Sequence, residues 1–323
     1  MKKNKVLITG GAGFIGSSLA SRLVNEGYRV TILDAMIPPY GGNMFNIADI
    51  KNKIRFVKGD VRDPKIIEEL ISGVDFVFHL AGQTGRNISM SDPVLDTQIN
   101  SIGTLVVLSA IKKMKRKPKL IFSGSRGVIG QPIYLPVDEK HPENPRDIYG
   151  INKLAAEKYI FLFGKEYSFP VTVLRFNNVY GPRCQIRSNH YGTLNLFISY
   201  ALQDKIMPIY GDGQQTRDYV YVDDVVDSLI KAIPQKGDGQ MYFVGTGIGT
   251  SINKIAEIIE EKIPGSKHKF IAFPKELKSV DFPDFYSTSK KIEKELLWRP
   301  EVSVEKGIEK TIEFYKNNLK YYI

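Results

Sequence analysis

The sequence is poor in the residues that hold metals and disulfides. It carries one cysteine, Cys184, and four scattered histidines in 323 residues. A single thiol excludes an intramolecular disulfide and fits a reducing cytoplasm. No cysteine or histidine spacing matches a metal centre, so no metal is expected. Long apolar runs are lacking as well, and nothing approaches the roughly 18 residues of a membrane span. Lys2 and Lys3 lead into only three apolar residues, which predicts no signal peptide. The expectation is a cytoplasmic chain with no membrane partner. Internal repeats and low-complexity tracts are also missing.

Positive charge is not lacking. The formal net charge is +10, which raises the question of nucleic-acid binding. Much of the excess lies in residues 112–119 (KKMKRKPK), where six of eight are basic. No aromatic residues interleave with these charges, and the run falls between an apolar helical pattern and a strand. Lysines there complement a helix C-terminus and keep a turn solvated. No nucleic-acid partner is expected, and a basic protein also suits an anionic small substrate. The 42% hydrophobic and 25% charged content is ordinary. The length allows a large core and two lobes.

What organises the chain is residues 5–16, KVLITGGAGFIG. Val6, Leu7 and Ile8 form a short apolar run, read as a buried parallel strand. Gly10, Gly13 and Gly16 follow at intervals of three, and Leu19/Leu23 and Ala20/Val24 then repeat at helical spacing. Strand, glycine turn and helix together let backbone N–H groups approach a pyrophosphate. A structural turn would need no more than this triplet. The next strand, residues 29–34, adds weight because it ends in Asp34, 18 residues after Gly16. An acid there accepts hydrogen bonds from ribose hydroxyls and repels a 2′-phosphate, which points to NAD and not NADP.

Further strands are predicted at residues 54–57, 75–81, 120–123, 171–175 and 241–244, with helices between them. Asp92-Pro93 pairs an N-cap with a proline at the first helical position. Residues 149–167, 251–262 and 304–317 read as helices. Residues 126–147 hold four prolines and little periodicity. This alternation argues an α/β fold: a Rossmann-type doubly wound parallel sheet with a smaller mixed α/β C-terminal lobe. We assign residues 1–177 to the first domain, with 217–246 returning to it, and 178–323 mainly to the second. Asp60, at a strand end, either contacts adenine or caps the helix that follows. Ala81 and Gly82 are small enough for close backbone approach, and His79 reads as a packed histidine. Asn100 lies in a helix and can point toward the cleft.

The chemistry rests on Tyr149 and Lys153 in YGINK. Four residues apart on a helix, they project from one face. A free tyrosine has a pKa near 10, and a nearby ammonium and a nicotinamide cation would both favour the phenolate. Ser125 arrives at the C-terminal end of the fifth strand, the edge where open α/β sheets bind ligands. It would hydrogen-bond the reacting hydroxyl.

Taken together, the chain resembles the extended short-chain dehydrogenase/reductase family, in its NAD-dependent nucleotide-sugar epimerase/dehydratase branch. The resemblance covers nearly the whole chain. It rests on TGGAGFIG, Asp34, GDVRD, HLAG, Asn100 to Thr104, Ser125, YGINK, RFNNVYGP, IYGDGQQTRDYVYVDD and ELLWRP. It implies NAD contacts from Gly10, Gly13, Phe14, Ile15, Gly16, Asp34, Asp60, Val61, Leu80, Ala81, Gly82, Asn100, Tyr149 and Lys153. It implies Ser125, Tyr149 and Lys153 as the catalytic set. Ser125 and Arg126 would meet a nucleotide-diphosphate sugar, with Asn178 and Arg217 on its phosphates. Asn178 has the alternative of capping a turn, and Arg217 that of pairing with Asp218. A homodimer through helices including that of Tyr149 is a further implication.

Departures narrow the reading. Ser125 is followed by Arg126-Gly127, where 4,6-dehydratases carry Asp-Glu for acid–base work. Arg126 either binds an anionic part of the substrate or covers the cleft. Lys278 and Asp281 stand in KSVD where many members have an Arg-x-Gly-Asp clamp. Phe285 takes the position that gates bulky acetamido sugars. The resulting expectation is 4-epimerisation of a UDP-hexose through a 4-keto intermediate with recycled NAD. One alternative is a 2-epimerase, or other keto-sugar reaction, on a CDP- or dTDP-deoxysugar, suggested by Gln83 in HLAGQ. An alternative of another class is a catalytically silent NAD-binding sensor.

Overall fold

The computed structural model describes residues 4–38, 41–187, 192–272 and 284–323. Its first six strands are β1 (Lys5–Thr9), β2 (Arg29–Asp34), β3 (Arg55–Lys58), β4 (Phe76–His79), β5 (Lys119–Ser125) and β6 (Val171–Phe176). The helices among them are α1 (Phe14–Asn25), α2 (Pro64–Ile71), α3 (Arg86–Ser91), α4 (Pro93–Thr97), α5 (Gly103–Lys113) and α6 (Ile148–Glu166). Parallel neighbours need a crossover of this kind, because a tight turn can only reverse the chain. Beyond β7 (Asn178–Tyr180) come α7 (Thr193–Ala201), β8 (Met207–Tyr210), β9 (Thr216–Arg217), β10 (Tyr219–Tyr221) and α8 (Val222–Lys231). Then follow β11 (Gln240–Val244), β12 (Thr250–Ser251), α9 (Ile252–Lys262), β13 (His268–Ile271) and helices Lys290–Leu296 and Val304–Asn318.

Seven strands form the central sheet in the order β11-β6-β5-β4-β1-β2-β3, every pair parallel. Side chains alternate across it. Val6 and Ile8 pack with Leu19 and Leu23 of α1 and Leu229 of α8. Leu7 faces the opposite layer, with Ile67 of α2, Leu108 of α5 and Ile160 of α6. The strand order reverses between β1 and β4, which opens a crevice at their C-terminal ends. Outside the sheet, α7, α9 and the terminal helix pack around Ile198, Ile255, Ile259 and Ile312. The strands there occur only in pairs, β10 with β7, β12 with β9 and β13 with β8.

Two expectations change in detail. β5 runs on through Gly124 and Ser125, pairing them with Arg175 and Phe176, so Ser125 is held by the sheet and not by a loop. The helical run Pro93–Lys113 is long and apolar enough in composition to cross a membrane, the one such helix among the described residues. More than half of it is buried inside the fold, so its apolar face serves the core. The basic run is spent locally. Lys113 pairs with Glu68, Arg116 with Asp75, and Lys119 with Asp238 at 2.6 Å.

The only tryptophan, Trp298, is fully buried and donates to the Asp224 carbonyl at 2.8 Å. The Asp224 carboxylate accepts from the Glu301 and Val302 amides at 3.1 and 3.2 Å. Asp224→Ala strips both acceptors and is expected to lower unfolding free energy by about 1–3 kcal/mol. Trp298 fluorescence in a urea titration reads the shift, and an unchanged midpoint would refute this tie.

Candidate active site

The glycine turn is built for close approach. Gly10 has φ +71°, and a Cβ on it would come 2.8 Å from the Ala81 nitrogen. A Cβ on Gly16 would land 2.2 Å from the Gly10 carbonyl oxygen. α1 therefore starts hard against the end of β1. Its N-cap, Gly13, provides no side-chain cap, and its first turn holds no acid. Free N–H groups and the positive end of a helix dipole face the crevice, a donor set suited to a pyrophosphate.

Asp34 closes the turn from β2. Its two oxygens accept from the Ala12 and Met36 amides at 3.0 and 2.9 Å, which leaves each with spare acceptor capacity. Burial raises its pKa, and those two amides hold it down. A Cβ on Gly42 would come 2.8 Å from Oδ1, so this wall too is cut for a close neighbour. Of the two expectations for Asp60, the helix cap is not met, since the cap of α2 is Asp63. The Asp60 carboxylate is instead forked by Arg62, whose side chain folds back two residues, with the salt bridge at 2.7 Å.

A cleft of about 380 Å³ joins these parts. Gly10, Gly13, Phe14, Ile15, Gly16, Asp34, Asp60, Val61, Leu80, Ala81 and Gly82 line it, as do Ser125, Tyr149, Lys153 and Asn178. Asn100, Arg126 and Arg217 lie outside that lining. Asn100 stands behind the wall: its amide donates to Gln83 and Asp96, while Oδ1 is buried without a partner beside Gly82. Asn178 caps no turn. It sits in β7, and its buried Oδ1 has no partner. These orphaned acceptors, the uncapped α1 and the glycine cradle fit a dinucleotide. Lys278 and Asp281 lie outside the described residues.

Tyr149 and Lys153 are set by α6, whose N-cap Asp147 accepts from Gly150 at 2.7 Å and pairs with Arg86 at 2.8 Å. Burial pushes the Tyr149 hydroxyl up to about 12, opposed by a Ser125 hydrogen bond and by Arg126. Burial brings Lys153 down to about 8, opposed by Glu157 and then Asp96. The lysine ammonium also lies 4.1 Å from the Phe122 ring centroid. The expectation that a nearby ammonium favours the phenolate meets a counterweight in this packing. Desolvation dominates, Asp96 and Asp147 work against the phenolate, and Arg126 is the cation with the larger pull. His79 is packed as expected. It bridges Thr9 and Thr104 at 2.8 and 3.1 Å, and burial drops its pKa to about 3.

Arg126 lies over the Phe285 ring, 4.9 Å from its centroid. Phe285 is buried with Val128, Ile129, Val137 and Phe243 and does not line the cleft. Arg217 ends β9, donates to the Thr216 carbonyl at 2.7 Å, and pairs through the backbone with Phe285. The neighbouring Asp218 is not its partner among the described residues. That carboxylate accepts from Thr246 N and Oγ1, Gly247, Ser287 and Asn177.

Several residues in this region escaped sequence reading. Asp96 is fully buried and accepts from Gln83, Asn100 and Asn152 at 2.9, 3.1 and 2.7 Å. Gln83, read above as a hint of 2-epimerisation, spends its amide on Asp96 and Gly85. Glu157 and Arg175 form a buried pair one helical turn past Lys153. The spacing from Lys153 to Glu157 was the one available signal.

Two substitutions test the cradle. Gly16→Ala is expected to weaken NAD binding by about tenfold or more, since the clash is with backbone. Asp34→Ala is expected to weaken NAD more than NADP. Calorimetric titration with both dinucleotides decides, and equal losses in the second variant would remove Asp34 from the ribose.

Comparison with known proteins agrees with this geometry. Residues 6–245 match the NAD dependent epimerase/dehydratase family. A Methanocaldococcus jannaschii protein provisionally named UDP-glucose 4-epimerase is 37% identical, with 97% of this chain and 99% of that one covered. Human dTDP-D-glucose 4,6-dehydratase is 31% identical, covering 97% and 90%. The crystal structure of Thermotoga maritima UDP-glucose 4-epimerase with UDP-glucose superposes with a TM-score of 0.90 at 34% identity, covering 98% and 99%. A glycine cradle, an acid at the end of β2 and a Ser-Tyr-Lys cluster across one crevice are thus found in a chain that belongs to the NAD-dependent epimerase/dehydratase family, an enzyme family whose cofactor is NAD.

Proposed function

We propose that the protein is a nucleotide-sugar 4-epimerase acting on a UDP-hexose. The observation that carries this reading is the convergence of Ser125, Tyr149 and Lys153 with the glycine cradle and Asp34 on one cleft. Tyr149 takes the proton of the C4 hydroxyl, and Ser125 holds the same oxygen by a hydrogen bond. NAD held by the glycine turn and Asp34 would supply the acceptor and later the donor of the C4 hydride, and a positive charge while oxidised. The loss of one proton and one hydride leaves a 4-keto sugar. Turning that sugar over exposes its other face, where hydride and proton return and C4 is inverted. Nothing is consumed, so the reaction needs no second substrate.

Lys153, with a pKa of about 8, is mostly cationic at neutral pH and adds to the field that favours the phenolate. Arg217 and Asn178 take the diphosphate, for which a guanidinium fork is suited. Dehydration is the weaker reading. It requires an acid and a base next to Ser125, and Arg126-Gly127 supplies neither. A homodimer and a cytoplasmic location remain part of the proposal.

Incubation with UDP-glucose and UDP-galactose, followed by NMR, is expected to show interconversion. Tyr149→Phe is expected to cut kcat by about 10²-fold or more with NAD still bound. Arg217→Ala is expected to raise KM about tenfold or more. No turnover of any nucleotide sugar by the wild type would favour a silent NAD sensor instead.

A further inference from the structure

Asn46 serves three separate segments with one side chain. It stands in the 3₁₀ turn Met44–Ile47, after β2, and is 1% exposed. Its Nδ2 donates to the Ala12 carbonyl at 3.0 Å and to the Arg183 carbonyl at 3.2 Å. Its Oδ1 accepts from the Tyr322 hydroxyl. Two carbonyls fix which way the amide faces, since only its nitrogen can donate to both. Tyr322 is also 1% exposed, edge-on to Phe45 at 6.0 Å and to Tyr315 at 5.3 Å. Tyr321 stacks on Phe45 with centroids 3.9 Å apart, and its carbonyl accepts from Asn43 Nδ2 at 2.9 Å. Residues 43–46 are thus clasped by residues 321 and 322. A side chain serving packing alone would be apolar at this depth, as the neighbouring Ile47 and Ile50 are.

What the clasp holds is the glycine cradle. Ala12 lies inside that turn, and its N–H donates to Asp34 Oδ2 at 3.0 Å. Its carbonyl accepts from the Asn43 N–H at 3.1 Å as well as from Asn46. Gly42, just before Asn43, lies against Asp34 Oδ1. On the other side, Arg183 leads into Cys184 and Gln185, which line the cleft. Its guanidinium reaches the Ser17 carbonyl of α1 at 3.1 Å and Asp49 at 3.2 Å. We propose that Asn46 is a positioning residue for NAD, its amide fixing the Ala12 peptide and with it the turn that receives the pyrophosphate, while Tyr322 orients that amide. Asn46 and Tyr322 lie outside the cleft lining, so both act through Ala12 and not by touching the dinucleotide. The proposal concerns NAD and does not depend on which sugar reaction follows.

The test is calorimetric titration of the full chain with NAD and with ADP-ribose, well below the unfolding midpoint of each variant. Asn46→Ala removes all three bonds and is expected to weaken NAD about tenfold or more. Tyr322→Phe deletes only the hydroxyl that orients the amide. It is expected to weaken NAD about threefold, and it decides the matter if the alanine variant does not fold. ADP-ribose carries the pyrophosphate without the nicotinamide, and is expected to lose the same factor in each variant. Asp224→Ala loosens the fold at Glu301 and Val302 instead. It is expected to lower the unfolding midpoint while leaving NAD affinity within about twofold of the wild type. Unchanged NAD affinity in the folded variants, an equal loss in Asp224→Ala, or a loss for NAD that ADP-ribose does not share would each overturn the proposal. No sugar enters these titrations, so absence of turnover would defeat the epimerase reading while leaving them decisive.

Discussion

Parallel alignment is the constraint from which the rest follows. Seven strands running one way place all their C-terminal ends on one edge, so residues far apart in the chain meet there without any loop having to travel. Thr9, Asp34, His79, Ser125 and Phe176 are each the last residue of a strand. Sheets of this kind are buried on both faces, and the burial that stabilises the core is continuous with the burial that surrounds the site. The ionisable groups of the crevice are therefore desolvated by the same packing that holds the fold. Tyr149 and Lys153 are displaced in opposite directions for this one reason.

Much of this arrangement was legible in the residues. Glycine spacing, the acid at Asp34 and the alternation of short apolar runs with helical patterns gave the succession of strands and helices and the parallel sheet, because those signals are local. Tyr149 and Lys153 were readable for the same reason, being one helical turn apart. Long-range polar contacts were not. Asp96 engages Gln83, Asn100 and Asn152 across three segments, and nothing in the identity of an aspartate announces that it will be fully buried. Arg62 captured Asp60, an outcome set by one rotamer. Burial around the phenol was not readable either, because desolvation depends on everything packed around a group, which spacing does not encode.

The region beyond β6 was the hardest to read, and its physics explains this. Apart from β11, which returns to the central sheet, its described strands are two to four residues long and occur in isolated pairs, too short for periodicity to register. The specific motifs there were more informative than the pattern. They singled out Asn178, which lines the cleft, and Arg217, which the structure sets at the end of β9 beside Phe285.

Asp218 has a mechanical corollary. Its carboxylate joins the ends of β6 and β11 to the segment around Ser287 through five hydrogen bonds. At about 0.5–1.5 kcal/mol each, separating those segments as rigid bodies would cost several kcal/mol. One buried carboxylate thus fastens three stretches of chain that lie far apart in sequence, and its loss would loosen all of them at once.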